Sequence, residues 1–136
     1  MQRVSEASVE VGGERISSIG PGLLVLLGVH RGDTADEADR IARKLLALRI
    51  FEDGDGRMNR SVTDAGGEIL CVSQFTVYGD TRKGNRPSFV EAAPPEQAAP
   101  LYERVRAELG AQGGRFGARM SIGLVNDGPV TILVES

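Results

Sequence analysis

The chain has 136 residues, of which 40% are hydrophobic and 26% charged, so a wholly disordered protein is excluded and a single domain over residues 1–136 is expected. A net charge of −3 excludes a generally basic nucleic-acid binder, and contact with a polyanion would require a local patch. With one Cys and one His, neither an internal disulfide nor an ordinary structural zinc site is available, and we expect no metal and no cofactor. The longest apolar run, at 23–29, is too short to span a bilayer and no signal peptide precedes it, so we expect a cytoplasmic protein without membrane contact.

Apolar periodicity divides the chain into strands and helices. Strict alternation predicts a half-buried strand, a short unbroken apolar run predicts a strand buried on both faces, and helical spacing predicts an amphipathic helix. Gly12–Gly13 predicts a tight hairpin turn, and Thr34 with Glu37 forms the capping-box pattern of a helix start. These signals predict strands over 2–11, 14–19, 23–29, 49–51, 68–75, 116–124 and 130–134, with helices through 38–48 and from Pro95 to Gly110.

The order of these elements predicts one α/β domain with the arrangement ββ(βα)(βα)ββ. Strand 23–29, the first helix and strand 49–51 together predict a βαβ unit. Val4 lies out of phase with the first strand, which indicates a bulge near Ser5. Pro100 is tolerated only near the first turn of a helix, which favours a regular helix that begins later than Pro95.

Familiar catalytic signatures are absent, including the nucleophile elbow, the phosphate-binding P-loop and the H-E-x-x-H zinc helix. His30 is the only imidazole available for a Ser-His-Asp triad, and a strand-end His in a loop is the simpler interpretation. Cys71 lies in an apolar strand, as is typical of a small core residue. The segment 53–56 resembles the start of a calcium loop, but Arg57 occupies the next ligand position, which favours a plain turn.

A polar cluster lies at the end of one strand, where Ser73, Gln74, Phe75 and Thr76 follow a buried apolar run. Sheets of the α/β class bind ligands at the carboxyl ends of their strands, where backbone N–H groups are free. The alternative is that the two hydroxyls only make local turn bonds. The cluster is therefore a candidate site with a purely structural alternative.

Two other segments are unusual. The loop 79–88 combines glycines with Arg82, Lys83 and Arg86, which predicts either an anion-binding loop or a solvated one. Gly128–Pro129 interrupts the last apolar stretch. The pattern alone favours a trans turn there, because only about 5–6% of X–Pro bonds in folded proteins are cis.

These segments together resemble one known family. Residues 73–89 read SQFTVYGDTRKGNRPSF, residues 115–120 read RFGARM, and residues 126–131 read NDGPVT. In this order and along essentially the whole chain they resemble the D-aminoacyl-tRNA deacylases, also called D-tyrosyl-tRNA deacylases. The resemblance implies a three-layer α/β/β fold and a homodimer that hydrolyses the ester between a D-amino acid and tRNA. It also implies action on glycyl-tRNA mischarged on tRNA(Ala).

The resemblance also implies how the site is built. Gly128–Pro129 is expected to be cis and to insert into the partner subunit's active site, which combines residues 73–76 of one chain with 128–129 of the other. Backbone carbonyls turned to one side would accept the cationic α-amino group of the substrate. A rigid backbone wall at the α-carbon would collide with an L side chain, admit many D side chains and let glycine pass.

For the chemistry, the resemblance implies that the 2′-hydroxyl of the terminal adenosine assists, since no His base or metal is available. Ser73, Gln74, Phe75 and Thr76 are then the catalytic segment, with backbone N–H groups around Phe75 and Thr76 stabilising the oxyanion. The competing mechanism makes Thr76 or Ser73 a covalent nucleophile.

The remaining candidates surround this segment. Arg82, Lys83 and Arg86 are candidates for contact with acceptor-stem phosphates, and Arg3, Phe89, Met120 and Thr131 are candidates for support of the site. The chain departs from the family pattern in two places: fewer residues precede Gln2, which predicts a frayed first strand at Arg3, and the 110–114 connection is shorter.

Two other classes of function remain open: a small-ester or amide hydrolase that uses Thr76 without tRNA, and a non-catalytic RNA-binding dimer. The acidic net charge counts against the second.

Overall fold

Eight strands, two α-helices and one short 3-10 helix make up the computed structural model, which describes all residues from 1 to 136. The strands are β1 (Gln2–Val11), β2 (Glu14–Ile19), β3 (Gly22–Leu27), β4 (Phe51–Glu52), β5 (Met58–Arg60), β6 (Glu68–Ser73), β7 (Gln112–Gly113) and β8 (Ser121–Thr131). The helices are α1 (Ala35–Ala47), the 3-10 helix (Phe75–Tyr78) and α2 (Pro95–Leu109). Neither α1 nor α2 is long and apolar enough to cross a membrane.

Six of the strands form one mixed sheet, while β4 and β5 form a separate hairpin. β3 and β6 run parallel, paired from Gly22–Glu68 to Leu27–Ser73, and β7 continues the parallel part beside β6. β1 pairs antiparallel with β2, β3 and β8. The carboxyl ends of β3 and β6 therefore meet at one edge of the sheet, directly beside Ser73.

Alternate residues of β3 and β6 face two different cores, which explains why their sequences are continuously apolar. Leu23, Val25 and Cys71 pack with α1 and α2 in one core. Leu24 and Leu70 pack on the opposite face, in the core that β1 and β2 complete. Helices thus cover one face of the parallel strands and antiparallel strands cover the other, and the predicted three-layer α/β/β fold is confirmed.

Several local predictions are confirmed. Thr34 caps α1, accepting a hydrogen bond from Asp36 N, and Glu37 accepts one from Thr34 N at 2.6 Å, which completes the capping box. The pairing of β1 with β8 shifts between Val4 and Glu6, which places a bulge near Ser5. Gly110 ends α2 in the left-handed conformation with φ of 61°. Local signals of this kind depend on neighbours in sequence, so they are visible before the fold is known.

The predicted βαβ unit closes on a different strand. β4 pairs antiparallel with β5 outside the main sheet, whereas the parallel partner of β3 is β6. The chain turns back after β4 because the Asp53 carboxylate accepts backbone hydrogen bonds from Asp55 at 2.9 Å and Arg57 at 3.0 Å. The prediction of strand 49–51 as the closing strand is therefore wrong, and the turn predicted at 53–56 is confirmed.

Two boundaries in the middle of the chain also differ from prediction. β6 ends at Ser73, so Phe75 belongs to the 3-10 helix rather than to the strand. α2 begins at Pro95 and contains Pro100 in its second turn. The side chains of Pro100 and Glu96 are exposed there, so water can satisfy the carbonyl that loses its N–H partner.

The C-terminal third contains one strand where two were predicted. Residues 114–120 form a loop, since Phe116 packs against Tyr102 with ring centroids 6.1 Å apart instead of continuing a strand. β8 then runs through Gly128–Pro129 to Thr131. The predicted strands 116–124 and 130–134 are therefore replaced by a single strand with an irregular segment inside it.

The first strand is not frayed. Gln2, Arg3 and Val4 pair with β3, and the terminal amino group donates to Ile132 O at 2.8 Å. The short 110–114 connection also fits the fold, because Gln112 and Gly113 pair directly with β6. Both departures from the family pattern are therefore accommodated within the sheet.

Cys71 is fully buried, and burial raises the pKa of its thiol to about 12. A thiol with this pKa stays protonated at pH 8, so we expect it to be inert toward Ellman's reagent in the folded protein. In denaturant it should react completely. Rapid reaction in native buffer at pH 8 would contradict the packing of β6 described here.

Candidate active site

The strand-end segment is fixed to the sheet by its backbone. Ser73, the last residue of β6, pairs with Leu27, and Gln74 N donates to Leu27 O at 2.8 Å. The chain then turns into the 3-10 helix at Phe75. The four residues 73–76 therefore lie at the carboxyl edge of the parallel strands, where the sequence predicted a site.

Gly28 lets the 3-10 helix pack against the end of β3. A Cβ at position 28 would lie 2.0 Å from Cγ2 of Val77 and 3.0 Å from the ring of Tyr78. Any larger residue would therefore force the side chains of Val77 and Tyr78 out of their present packing against the end of β3. Gly28 has no signature in the sequence alone, because its close approach to Val77 exists only in the folded chain.

The side chains of residues 74–76 form a small polar and aromatic surface. Gln74 Nε2 donates to Thr76 Oγ1 at 3.1 Å. Phe75 is 55% exposed and packs edge-on against Phe89, with centroids 5.1 Å apart, so Phe89 supports the segment from the loop beneath. The first N–H groups of a 3-10 helix have no partner within the helix, which leaves Phe75 N–H and Thr76 N–H available to an oxygen ligand.

His30 is committed to its own turn. Its Nδ1 accepts a hydrogen bond from Gly32 N at 2.9 Å, and its ring packs edge-on against Tyr78 at 5.5 Å. This geometry favours the strand-end interpretation over a Ser-His-Asp triad. No group of three His, Cys, Asp or Glu side chains is arranged to hold a metal ion.

Gly128–Pro129 forms a bulge on β8. β1 and β8 pair at Val4–Asn126 and again at Gln2–Thr131, so Arg3 alone lies opposite residues 127–130. The extra residues of such a bulge leave the ladder and project from it. The Gly128–Pro129 peptide bond is cis, as the resemblance implied and in contrast to the trans turn that the pattern favoured. Thr131 Oγ1 donates to Gln2 Oε1 at 2.8 Å, where regular pairing resumes.

Arg3 fills the space behind this bulge. Its side chain is 8% exposed and donates to Asp127 O at 3.2 Å through Nε and to Ile50 O at 2.7 Å through a terminal nitrogen. The Asp127 carboxylate lies 3.4 Å from the same Nε. Arg3 therefore holds the bulge to the chain that precedes the β4–β5 hairpin.

The two halves of the predicted site lie apart within one chain. In the sheet, β1 and β3 lie between β8, which carries Gly128–Pro129, and β6, which leads to residues 73–76. The structure thus brings Phe89 to Phe75, and Arg3 to Gly128, but does not bring the bulge to the strand end. Met120 is half-buried against the core that contains Val72, the residue before Ser73, and contacts neither Phe75 nor the bulge in that core.

The basic loop is only partly free to bind an anion. Arg82 makes a two-point ion pair with Asp80, with nitrogen–oxygen distances of 2.9 and 2.6 Å, and this pairing lowers the pKa of Asp80 to about 2. Lys83 and Arg86 are exposed and have no carboxylate within 4.0 Å. Backbone hydrogen bonds between Asp80 and Ser88, at 2.8 and 2.9 Å, close the loop.

A cavity of about 470 Å³ lies behind the 3-10 helix, between β3, α1 and the last four residues. Val77 and Tyr78 line it, but none of the residues 73–76 does. Phe75 and Thr76 are instead exposed on the outer side of the 3-10 helix, away from this cavity's lining.

Comparison with known proteins decides the family. A family model described as D-Tyr-tRNA(Tyr) deacylase matches residues 1–135. The chain belongs to this family. A D-aminoacyl-tRNA deacylase from Roseiflexus castenholzii is 60% identical over 141 residues, covering 100% of this chain and 90% of the relative. One from Chlorobaculum parvum is 58% identical over 142 residues, covering 100% and 95%.

Two solved structures share the fold of this family member. The c-Myc DNA Unwinding Element Binding Protein aligns with a TM-score of 0.94 and 48% identity, over 99% of this chain and 95% of that one. A probable eukaryotic D-amino acid tRNA deacylase aligns with a TM-score of 0.78 over 94% and 92%. At 20% identity, the second likeness concerns the fold alone. The family predicted from the sequence motifs is confirmed.

Proposed function

We propose that this chain hydrolyses the ester bond of D-aminoacyl-tRNA and releases the free D-amino acid and tRNA. The observation that carries this proposal is the family match over residues 1–135, with the segments 73–76 and 126–131 present within it. In the reaction, water adds to the ester carbonyl, the bond to the 3′-oxygen breaks, and that oxygen takes up a proton.

We further propose that the active site is completed by a second copy of the chain. Gly128–Pro129 projects from β8 and is separated from Ser73 of its own chain by two strands. Apolar side chains are exposed on both halves, including Phe75, Val77 and Val125. A contact that brings the two halves of two subunits together would cover these groups. In the dimer, the bulge of one subunit enters the strand-end segment of the other.

This arrangement supports chiral selection by backbone. The projecting carbonyls of the bulge would bind the α-amino group, and the surrounding main chain would leave no room for an L side chain at the α-carbon. Glycine has no side chain to exclude. The enzyme is therefore expected to hydrolyse glycyl-tRNA mischarged on tRNA(Ala) as well.

The strand-end segment provides position and hydrogen-bond donors rather than a base. His30 is bound within its own turn, and the only side-chain partner of Thr76 Oγ1 is the Gln74 amide. The 2′-hydroxyl of the terminal adenosine then assists the attack, and Phe75 and Thr76 N–H groups stabilise the oxyanion. The loss of one such donor typically costs about 2.7–4 kcal/mol in other acyl-transfer enzymes. Lys83 and Arg86 are the free cations of the basic loop for contact with acceptor-stem phosphates, whereas Arg82 is held by Asp80.

The variant Thr76→Ala separates this mechanism from covalent catalysis. It removes a neutral hydrogen bond worth about 1 kcal/mol, so we expect kcat to stay within about tenfold of wild type. If Thr76 were the covalent nucleophile, its removal would lower kcat by about a thousandfold or more. Loss on that scale, with unchanged affinity for uncharged tRNA, would assign Thr76 as the nucleophile and overturn the RNA-assisted mechanism.

The proposed activity is tested by amino-acid release from D-tyrosyl-tRNA, L-tyrosyl-tRNA and glycyl-tRNA(Ala) in parallel. We expect release from the D ester and the glycyl ester, with the L ester stable at the spontaneous rate. Release from both tyrosyl esters would show that the protein is a hydrolase but would refute the selection of D esters by the backbone of the bulge. Release from neither, by a folded dimer that binds tRNA, would favour a non-catalytic RNA-binding protein.

A further inference from the structure

The loop between β7 and β8, residues 114–120, is a rigid element beside the candidate active site. At one end, a Cβ on Gly114 would lie 3.7 Å from Val72 Cγ1, so this end runs alongside β6. In the middle, Phe116 packs on Tyr102 and on the small core of Val29, Ala93 and Ala98. A turn bond from Ala118 N to Arg115 O, at 3.1 Å, closes the loop.

Strand pairing and packing beside β6 locate the two ends of this loop. β6 and β7 pair at Leu70–Gln112 and Cys71–Gly113. The pairing ends there, but Gly114 still lies beside β6, since its Cβ would be 3.7 Å from Val72 Cγ1 and 2.5 Å from Met120 Sδ. Both ends of the loop therefore meet beside Val72, the residue before Ser73. Arg115 and Arg119 are the chain neighbours of these two ends, so their backbones lie close to the end of β6.

Arg115 and Arg119 carry positive charge that no neighbouring carboxylate balances, as do Lys83 and Arg86. Both arginines are exposed, and neither has a carboxylate within 4.0 Å, whereas Arg82 is neutralised by Asp80. Exposed arginines held on a rigid loop lose little further freedom when they bind a phosphate, and the guanidinium fork matches phosphate oxygens.

We propose that Arg115 and Arg119 bind phosphates of the single-stranded 3′ end of the tRNA, next to the esterified adenosine. The inference rests on the proposed function, since it places the ester at Ser73 and the preceding nucleotides over the adjoining loop. It adds a second set of phosphate contacts to those proposed for Lys83 and Arg86. These two arginines make the enzyme depend on the RNA chain as well as on the aminoacyl group.

The test compares the double variant Arg115→Ala/Arg119→Ala with wild type on substrates with and without phosphates. The matched control is Arg43→Ala/Lys44→Ala, which removes the same charge from the exposed face of α1 near its C-terminus. Each protein is assayed on D-tyrosyl-tRNA and on the 3′ ester of D-tyrosine with adenosine. Binding of an uncharged acceptor-stem RNA that ends in CCA is measured separately across a range of salt concentrations.

We expect the double variant to lose about tenfold or more in kcat/KM on D-tyrosyl-tRNA but to keep wild-type activity on the adenosine ester. The slope of log affinity against log salt should fall by about 1.4, because each phosphate contact to a single strand contributes about 0.7. Unchanged RNA affinity and salt slope would overturn the proposal. Equal losses on both esters would also overturn it and assign the loop a role in supporting β6. Because RNA binding is measured without an ester, a failure of the proposed hydrolysis is distinguishable from a failure of this inference.

Discussion

We expect the variant Gly128→Ala to lower kcat/KM for D-tyrosyl-tRNA by about tenfold to a hundredfold while the protein remains folded. Gly128 has φ of 128°, a conformation that L side chains rarely adopt. An added Cβ would lie 2.9 Å from Val130 N, a backbone atom, and 3.3 Å from a guanidinium nitrogen of Arg3. Backbone strain of this kind costs about 1–3 kcal/mol, so the bulge shifts and no longer meets the substrate at the same place.

The measurement is steady-state hydrolysis of D- and L-tyrosyl-tRNA, with circular dichroism as a check on folding. Gly54→Ala is the control, since a Cβ at that position has no atom within 4 Å and the backbone there is not left-handed. We expect the control to match wild type. Wild-type D-ester hydrolysis by a folded Gly128→Ala protein would show that the bulge has no part in the reaction.

The second large effect is expected at Gly28, which contacts no substrate. Gly28→Ala places a Cβ 2.0 Å from Val77 Cγ2 and 3.0 Å from the Tyr78 ring, so the side chains of the 3-10 helix must shift, and we expect Phe75 and Thr76 to shift with them. A displacement of about 1 Å at a reacting centre can reduce the rate a hundredfold. We therefore expect a larger loss in kcat than in affinity for uncharged tRNA, because Lys83 and Arg86 lie on the loop beyond the 3-10 helix.

A second substitution distinguishes displacement from general destabilisation. Val77→Ala removes the atom that lies 2.0 Å from the added Cβ, so the double variant Gly28→Ala/Val77→Ala should recover part of the lost kcat. Recovery is expected to be partial, since the Tyr78 ring remains 3.0 Å from the same Cβ. If Gly28→Ala turns over like wild type, residues 75–76 are not the positioned segment.

Local signals account for the part of the fold that could be predicted. The capping box of Thr34 with Glu37 and the apolar run of β3 involve residues that are neighbours in sequence, and both predictions are confirmed. The parallel partner of β3 was missed, because the side chain of Asp53 turns β4 back into its own hairpin. A hydrogen-bonded turn of this kind decides which of two apolar segments, 49–51 or β6, becomes the parallel partner of β3.

The same distinction between local signals and contacts distant in sequence holds for the candidate site. The motif 73–76 was located at a strand end by composition and by resemblance, and the structure places it at the carboxyl edge of the parallel pair. The 3-10 helix and the bulge were not predicted from pattern, because both depend on contacts distant in sequence. One depends on the approach of Val77 to Gly28, and the other on Arg3 behind residues 127–130.

The central claim, a site shared by two subunits, is tested most directly by complementation. Gly28→Ala disables the strand end and Gly128→Ala disables the bulge, so a mixed dimer carries one defect of each kind. The two chains are co-expressed with different tags, the mixed dimer is isolated through both tags, and D-tyrosyl-tRNA hydrolysis is compared with both parent homodimers. If the bulge acts on the partner subunit, one of the two sites is fully intact and the mixed dimer has about half of wild-type activity. A mixed dimer no more active than its parents would contradict the shared site and place both halves of each site within one chain.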